Sequence, residues 1–359
     1  MRILVVTNHS GMLYNFRREL IGELLRNNEV IISMPFVGHE EDFEKMGARC
    51  INTEVDRRGT SVFKDFSLMK AYRKILKEEK PDLMITYSIK ANVYAGYSAG
   101  RLGVPYYVNV QGLGTAFQTP ILSAFVSFLY RKALKRAERV FFENQPNADF
   151  FVEKKIIPRE KTMVLNGAGV NSDLFSYQSY PENEKTRFLF AGRIMKEKGI
   201  DELFEAVRRL AKEGYDFVLD MAGFFEDEYQ EKVEKIQEEG LVVFHGFQDA
   251  LKDFYAQSDC IVMPSYHEGM NNVILEGSSC GRAVIASDIP GCREAVEDGV
   301  TGFLCKSKDV ETLYSAMKRF LELSKDERIK LGEAAREKMV REFDKHIVVE
   351  KIMNVLRKV

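Results

Sequence analysis

Short β-branched runs alternate with amphipathic helical stretches along the whole 359-residue chain. That alternation restricts the fold severely. Two parallel strands can be joined only by a long crossover, usually a helix, so repeated β-α units build parallel sheets covered on both faces. In the first half the strand candidates are residues 3–7, 30–34, 83–87, 106–110 and 139–142. Helical periodicity fills the gaps, as at 65–79 and 125–137. In the second half the candidates are 188–191, 217–222, 241–245, 260–263 and 283–286, with helices at 200–213 and 227–238 between them. Gly, Asn, Ser and Pro cluster at 166–181, which marks a joint. The expectation is two doubly wound α/β domains, 1–170 and 171–342, facing each other across a cleft. An amphipathic segment, 343–359, follows. Ligands of such sheets bind beyond the carboxyl ends of the strands.

The length suits two domains, and 45% hydrophobic with 30% charged residues is ordinary for globular cores. Residues 1–7 begin the fold at once, with no basic prelude or cleavage site, and no apolar run approaches the ~20 residues that span a bilayer. The five cysteines, Cys50, Cys260, Cys280, Cys292 and Cys305, form no CxxC pair. This argues against a metal site or disulfide framework and for a reducing cytoplasm. The net charge of −2 conceals an asymmetry. Residues 1–170 hold 25 of the 52 basic but only 18 of the 54 acidic residues. The first half is therefore suited to an anionic surface or a phosphate-bearing substrate; ordinary surface variation is the alternative.

The run from Pro264 to Glu276 carries the most chemistry. Glu268 ends a loop after an apolar strand, and Glu276 lies about two helical turns further on. A strand, a Gly turn and a helix start present free N–H groups to a phosphorylated ligand. A carboxylate at each end can hold hydroxyls on either side of the phosphates, Glu268 near a sugar and Glu276 near a ribose. The competing reading is two solvated surface glutamates.

Gly192-Arg193-Ile194-Met195-Lys196-Glu197-Lys198-Gly199 repeats the strand–turn–helix design with three basic residues. Arg193 and Lys198 can reach one diphosphate, though an ordinary basic turn has the same composition. After the first strand, Gly11 permits close backbone approach, Asn15 is a candidate helix cap, and His9 is either structural or catalytic. Gln111, Gly112 and Lys90 follow further strands and should line the same cleft. Residues 119–139 combine Ile121, Leu122, Phe125, Val126, Phe128 and Leu129 with Arg131, Lys132, Lys135, Arg136 and Arg139. Such a helix rests on an anionic bilayer or packs on the core with a solvated basic end. Glu226-Asp227-Glu228 reads as a helix start, not a metal-binding pair. No zinc cluster, Walker loop, dinucleotide fingerprint or GxSxG elbow occurs, and nothing indicates nucleic-acid binding.

Gly192-Arg193…Lys198-Gly199, Pro264-Ser265, the E-x7-E pair Glu268/Glu276 and Ser287-Asp288…Gly291…Glu294…Gly299…Gly302 together resemble retaining glycosyltransferase family 4, with the GT-B architecture. The resemblance covers nearly the whole chain. Tyr14-Asn15-Phe16-Arg17, Arg57-Arg58-Gly59-Thr60, Lys80-Pro81-Asp82, Ile89-Lys90-Ala91-Asn92 and residues 112–117 are similar to a subgroup acting on undecaprenyl-diphosphate-linked sugars. Its members build capsule, O-antigen or glycoprotein glycans, several with N-acetylgalactosamine or N-acetylglucosamine from UDP.

The resemblance implies two Rossmann-like domains and a C-terminal helix that crosses back to the first. Arg193, Lys198 and Glu268 would be catalytic. Gly11, Arg193, Lys198, His245, Gly246, Phe247, Glu268, Gly269, Met270, Asn271 and Glu276 would bind the donor, with His245–Phe247 at the uracil. His9, Tyr14, Asn15, Arg57, Lys90, Gln111 and Gly112 are the acceptor-side candidates. No metal or cofactor is expected. The implied partners are a UDP-sugar, a lipid-linked saccharide and the inner face of the cytoplasmic membrane, reached through 119–139. Many family members carry a histidine after the strand equivalent to 106–110; here Asn109 and Gln111 stand there. Other readings are a UDP-sugar epimerase of the same architecture, a non-catalytic UDP-sugar or glycan-binding protein, and a transferase with a soluble acceptor, for which the basic amphipathic segment is the discriminator.

Overall fold

The computed structural model describes residues 1–56, 62–113, 117 and 119–357. The chain divides into two compact units, Met1–Ala168 with Val349–Val359, and Gly169–Val348.

The first unit is built on seven parallel strands: β1 (Arg2–Val6), β2 (Glu29–Met34), β3 (Arg49–Asn52), β4 (Leu83–Tyr87), β5 (Tyr106–Val110), β6 (Arg139–Phe142) and β7 (Thr162–Val164). Their order is β3-β2-β1-β4-β5-β6-β7, so the strand order reverses between β1 and β4. The second unit holds six: β8 (Thr186–Ala191), β9 (Phe217–Ala222), β10 (Val242–Phe244), β11 (Cys260–Met263), β12 (Ala283–Ser287) and β13 (Gly302–Cys305). They run β10-β9-β8-β11-β12-β13, with the reversal between β8 and β11. Crevices at such reversals are where doubly wound sheets bind ligands. The doubly wound expectation is met in both units.

Central strands are buried on both faces, which is why β4, β5, β11 and β12 read as continuous apolar runs. Each sheet carries its own core. Leu4, Met84, Val108 and Phe142 belong to one, and Phe188, Ile261, Val284 and Phe303 to the other. Three strands escaped the sequence reading: β3, β7 and β13. All are edge strands of three or four residues, and β3 and β7 are only partly buried. Short, half-solvated edges lack the apolar signal of central strands.

Arg282 is fully buried and directs its hydrogen bonds to backbone carbonyls. Its Nε donates to Tyr255 O at 2.7 Å, and its two Nη groups reach Gln178 O, Ser179 O and Ala256 O, each at 2.9 Å. One guanidinium thus satisfies carbonyls of the 178–179 segment and of the helix end at 255–256. Also in the second unit, the strand-like segments at 170 and 344 pair: Val170 N donates to Phe343 O at 2.8 Å and Lys345 N to Val170 O at 2.9 Å.

Candidate active site

In the second unit the loops after β8, β11 and β12 meet at the carboxyl end of the sheet. After β8, Lys196–Lys198 forms one 3-10 turn and Gly199 starts the helix Ile200–Lys212 in the left-handed region, φ 72°. A Cβ at Gly199 would lie 2.1 Å from Pro264 O, so only glycine lets the two loops touch. Tyr266 N donates to Glu197 O at 2.8 Å, and Asn271 N to Gly291 O at 3.0 Å. These backbone contacts fix the relative positions of Lys198 and Glu268.

Lys198 Nζ lies 2.6 Å from Glu268 Oε1, and Asn271 Nδ2 donates to the same oxygen at 2.9 Å. Both charged side chains are largely buried. Asn271 does a second job: its Oδ1 accepts from Ile274 N at 3.2 Å and caps the helix Asn272–Ser279. Cation, carboxylate and helix N-terminus are therefore joined through one amide. Glu276 lies on that helix, and its Oε2 accepts from Tyr255 OH at 2.8 Å. Burial pushes the Glu276 carboxyl up to about 7, against the hydrogen bond from Tyr255 and the charge of Lys345.

Arg193 is about half exposed and stands 3.6 Å from Glu226. Asp227 Oδ2 accepts from Lys196 N at 2.9 Å, so the acidic run braces the basic loop. The helix expected to begin at 227 starts at Gln230. His245 Nε2 is 2.7 Å from Asp220 Oδ1, and Asp220 is gripped by Arg187 at 2.7 and 3.0 Å. The His245 side chain is thus committed to this strand-face network. Gly246 O accepts from Gly223 N at 2.8 Å, and exposed Phe247 packs edge-on to exposed Phe224, with ring centroids 6.0 Å apart. Met270 belongs to the apolar core, so of the 269–271 segment only Asn271 sends a side chain to Glu268.

In the first unit the structure reassigns the β1 loop. His9, not Asn15, caps the helix Ser10–Leu25, its Nδ1 accepting from Met12 N at 3.2 Å. Asn15 sits exposed inside that helix. Gly11 lies in its first turn against the His9 ring. Tyr14 stacks on His39 at 4.5 Å between ring centroids. Gln111 Nε2 approaches Met12 Sδ at 3.0 Å, with Gly112 next to it in the loop after β5. Lys90 is an ion-pair member: its Nζ is 2.6 Å from Asp65 Oδ1, while Tyr94 OH donates to Asp65 Oδ2 at 2.7 Å. Arg17 is buried and donates to Glu143 Oε1 at 2.9 Å, its guanidinium 5.5 Å from the Tyr87 ring centre. Burial pushes Glu143 up to about 7 in spite of Arg17. Arg57 lies outside the described residues.

Two family models match adjacent parts of the chain: a glycosyl transferase 4-like domain over residues 25–167 and glycosyl transferases group 1 over 174–338. The chain is a GT-B glycosyltransferase. The glycosyltransferase is 26% identical to the N,N'-diacetylbacillosaminyl-diphospho-undecaprenol alpha-1,3-N-acetylgalactosaminyltransferase of Campylobacter jejuni, over 100% of this chain and 99% of that protein. It is 22% identical to a capsular polysaccharide biosynthesis glycosyltransferase of Staphylococcus aureus, over 82% of each chain. Its fold matches that of Anabaena HepE, solved with UDP, at a TM-score of 0.81 with 18% identity and complete coverage of both chains.

Several contacts of the candidate site were not foreseen from sequence. Asn271 was placed among the donor-binding residues, but its capping of the helix Asn272–Ser279 was not read, although an Asn directly before a helical run is a recognisable cap. Tyr255, Asp220, Arg187 and Asp65 reach the site residues across the fold, at separations that no local pattern reveals.

On the basic segment, the helix Pro120–Leu134 divides its apolar residues. Val126 is buried, while Ile121, Leu122, Phe125 and Phe128 are exposed, Ile121 by 87%. Arg131, Arg136 and Arg139 donate to backbone carbonyls of neighbouring segments. Among the described residues, no helix is long and apolar enough to cross a membrane.

Proposed function

We propose that the glycosyltransferase transfers a sugar from a UDP-sugar to an undecaprenyl-diphosphate-linked saccharide, with retention of anomeric configuration. N-acetylgalactosamine is the donor sugar that the full-length likeness to the Campylobacter enzyme supports best, with N-acetylglucosamine the other candidate. The observation that carries the reading is the Lys198–Glu268–Asn271 cluster at the start of the helix Asn272–Ser279.

The chemistry follows from that cluster. The bond between the anomeric carbon and the leaving phosphate oxygen breaks as that carbon gains positive charge. Lys198, Arg193 and the helix N-terminus stabilise the charge collecting on the diphosphate. Glu268 accepts hydrogen bonds from sugar hydroxyls, held in place by Lys198 and Asn271. The acceptor oxygen bonds to the same face of the anomeric carbon, and its proton passes to a leaving phosphate oxygen. Glu276 holds the ribose as an ionised acceptor. The backbone of residues 245–247, with Phe247 and Phe224, receives the uracil. The cationic side chains provide the charge compensation, so no metal is assigned.

The exposed stripe Ile121, Leu122, Phe125 and Phe128, with Lys132 beside it, supports peripheral docking on the cytoplasmic face of the inner membrane, where a lipid-linked acceptor is presented. The test is UDP release from a panel of UDP- and GDP-sugars in EDTA, with and without a membrane extract containing undecaprenyl-diphosphate-linked saccharides. Acceptor-dependent release from one UDP-sugar is expected. Donor consumed without acceptor, by conversion to another UDP-sugar with no UDP released, would favour the epimerase reading, and UDP binding with neither release nor conversion the binding-protein reading.

A further inference from the structure

Tyr266 stands two residues before Glu268, and the mechanism above gives its side chain no role. It is nearly buried, 8% exposed, and it grips the segment that carries Lys198 at both ends. Its N–H donates to Glu197 O at 2.8 Å. Its phenol OH donates to the Glu202 carboxylate, with Oε1 at 2.7 Å and Oε2 at 2.8 Å. Residues 197 and 202 lie on either side of Lys198, so one tyrosine straddles the turn that bears the lysine.

The anchor is well founded. Glu202 lies in the first turn of the helix Ile200–Lys212, where the helix dipole favours a carboxylate. Its neighbour Asp201 accepts from Tyr229 OH at 2.7 Å and Lys232 Nζ at 2.6 Å. That helix start is thus filled by the chain's own carboxylates, whereas the start of Asn272–Ser279 has no acidic residue in its first turn. Burial, followed by Glu202, pushes the Tyr266 phenol up, so it remains a donor at neutral pH. Lys308 Nζ stands over the Tyr266 ring, 4.8 Å from its centre, and Lys308 itself has a left-handed backbone, φ 62°, rare for a residue with a side chain. Loops after β8, β11 and β13 therefore meet on this one ring. Beyond Glu268 the loop is pinned again, by Asn271 N on Gly291 O. A Cβ at Gly291 would lie 2.6 Å from Gly269 O. Glu268 hangs between these two pins, and the pins hold it against Lys198.

We propose that Tyr266 is a positioning residue: anchored on Glu202, it sets where Glu268 stands relative to Lys198, and so how sharply the site separates one donor sugar from another. The assignment rests on the donor-site reading, in which Lys198 takes the diphosphate and Glu268 the sugar hydroxyls. UDP has the diphosphate but no sugar. Loosening the tyrosine strut should therefore spare UDP affinity and weaken the part of recognition that belongs to the sugar.

Tyr266→Phe removes the hydroxyl and keeps the ring under Lys308. The full chain is titrated by calorimetry with UDP, with the UDP-sugar of the panel that wild type binds most tightly, and with the C4 epimer of that sugar. Donor kinetics with the membrane extract run beside it. In Tyr266→Phe, UDP Kd should stay within about twofold of wild type, while kcat/KM for the preferred donor falls roughly tenfold and the preference over its epimer narrows severalfold. Glu202→Gln still offers the phenol an acceptor and should keep most of the preference. Glu202→Ala should match Tyr266→Phe, and the double variant should be no worse than either single. A merely structural tyrosine would lower the melting temperature and leave the preference intact. That result overturns the assignment, as does a loss of UDP affinity equal to the loss for the sugars, or a wild type that treats the two epimers alike. Failure of the transferase reading is separate: wild type gives no acceptor-dependent release, and the calorimetry still decides the role of Tyr266. If wild type binds no nucleotide, the donor-site reading fails, and melting curves decide the strut. Shifts of Tyr266→Phe and Glu268→Gln that do not add support it, and additive shifts overturn it.

Discussion

Asn271 serves two partners with one side chain: its Nδ2 donates to Glu268 Oε1 at 2.9 Å and its Oδ1 caps the helix at Ile274 N at 3.2 Å. Position and electrostatics of the cluster are therefore coupled. Asn271→Ser keeps an oxygen cap and loses the amide donor. Asn271→Ala loses both. Loss of the cap should cost ~1 kcal/mol of unfolding free energy in the alanine variant, with little loss for serine. Turnover should fall in both, because Glu268 loses a tether in both. Thermal melts and steady-state kinetics on the pair of variants separate the two roles.

In the ribose-binding role proposed for it, Glu276 should make donor binding depend on pH. Burial raises its carboxyl from the ordinary 4.5 to about 7. In the proposed role only the ionised form would accept ribose hydroxyls, so donor KM should fall as pH rises through about 7. Glu276→Gln should flatten that dependence and raise KM at alkaline pH. Stability runs the other way. A carboxyl raised in the folded state favours folding fully below its ordinary value, and that contribution is lost as pH rises towards 7. Glu143, similarly raised beside Arg17, adds to the same trend. Chemical denaturation across this range should show stability declining from mildly acidic to neutral pH. In the Glu276→Gln variant the decline should be shallower.

Arg282 is a stability determinant. Arg282→Met keeps much of the volume but strands the carbonyls of Gln178, Ser179, Tyr255 and Ala256. Several buried acceptors without donors should cost on the order of 3 kcal/mol or more. The melting temperature of the second unit should fall by roughly 6–12 °C for a unit of this size. Arg282→Lys should recover only part, since an ammonium cannot span the same set. Differential scanning calorimetry reads both.

Membrane docking is open to a direct check. The protein should float with anionic vesicles at low salt and be released as salt rises, since the basic contribution is screened within about a Debye length. Phe125→Ser with Phe128→Ser should abolish flotation without altering the melt, because both residues are exposed. Flotation of the double variant at wild-type level would sink the assignment of this stripe.

The fold was legible where burial is two-sided. β4, β5, β11 and β12 carry continuous apolar runs and were placed from sequence within about one residue. β3 and β7 were not, because half-buried edge residues need no apolar character. At the site, Lys198 and Glu268 stand out in sequence because turn glycines and a helix start flank them, and the structure joins them at 2.6 Å. Lys90 was legible as a basic residue after a strand, but not as a paired one. Asp65 lies 25 residues earlier, and only the sheet brings the two together. His9 was left open between structural and catalytic roles, and the helix cap it makes was assigned to Asn15. Histidine is a rare cap, so propensity pointed to the asparagine.

The most direct measurement is acceptor-dependent UDP release by wild type and Lys198→Ala at saturating donor, with the fold checked by circular dichroism. Lys198 is assigned charge that stabilises the departing diphosphate and holds Glu268 in place. Its removal should lower turnover by about 10²-fold or more, with Lys198→Arg intermediate. Turnover of Lys198→Ala within about twofold of wild type would contradict the account, because no charge on the diphosphate would then rest on this cluster.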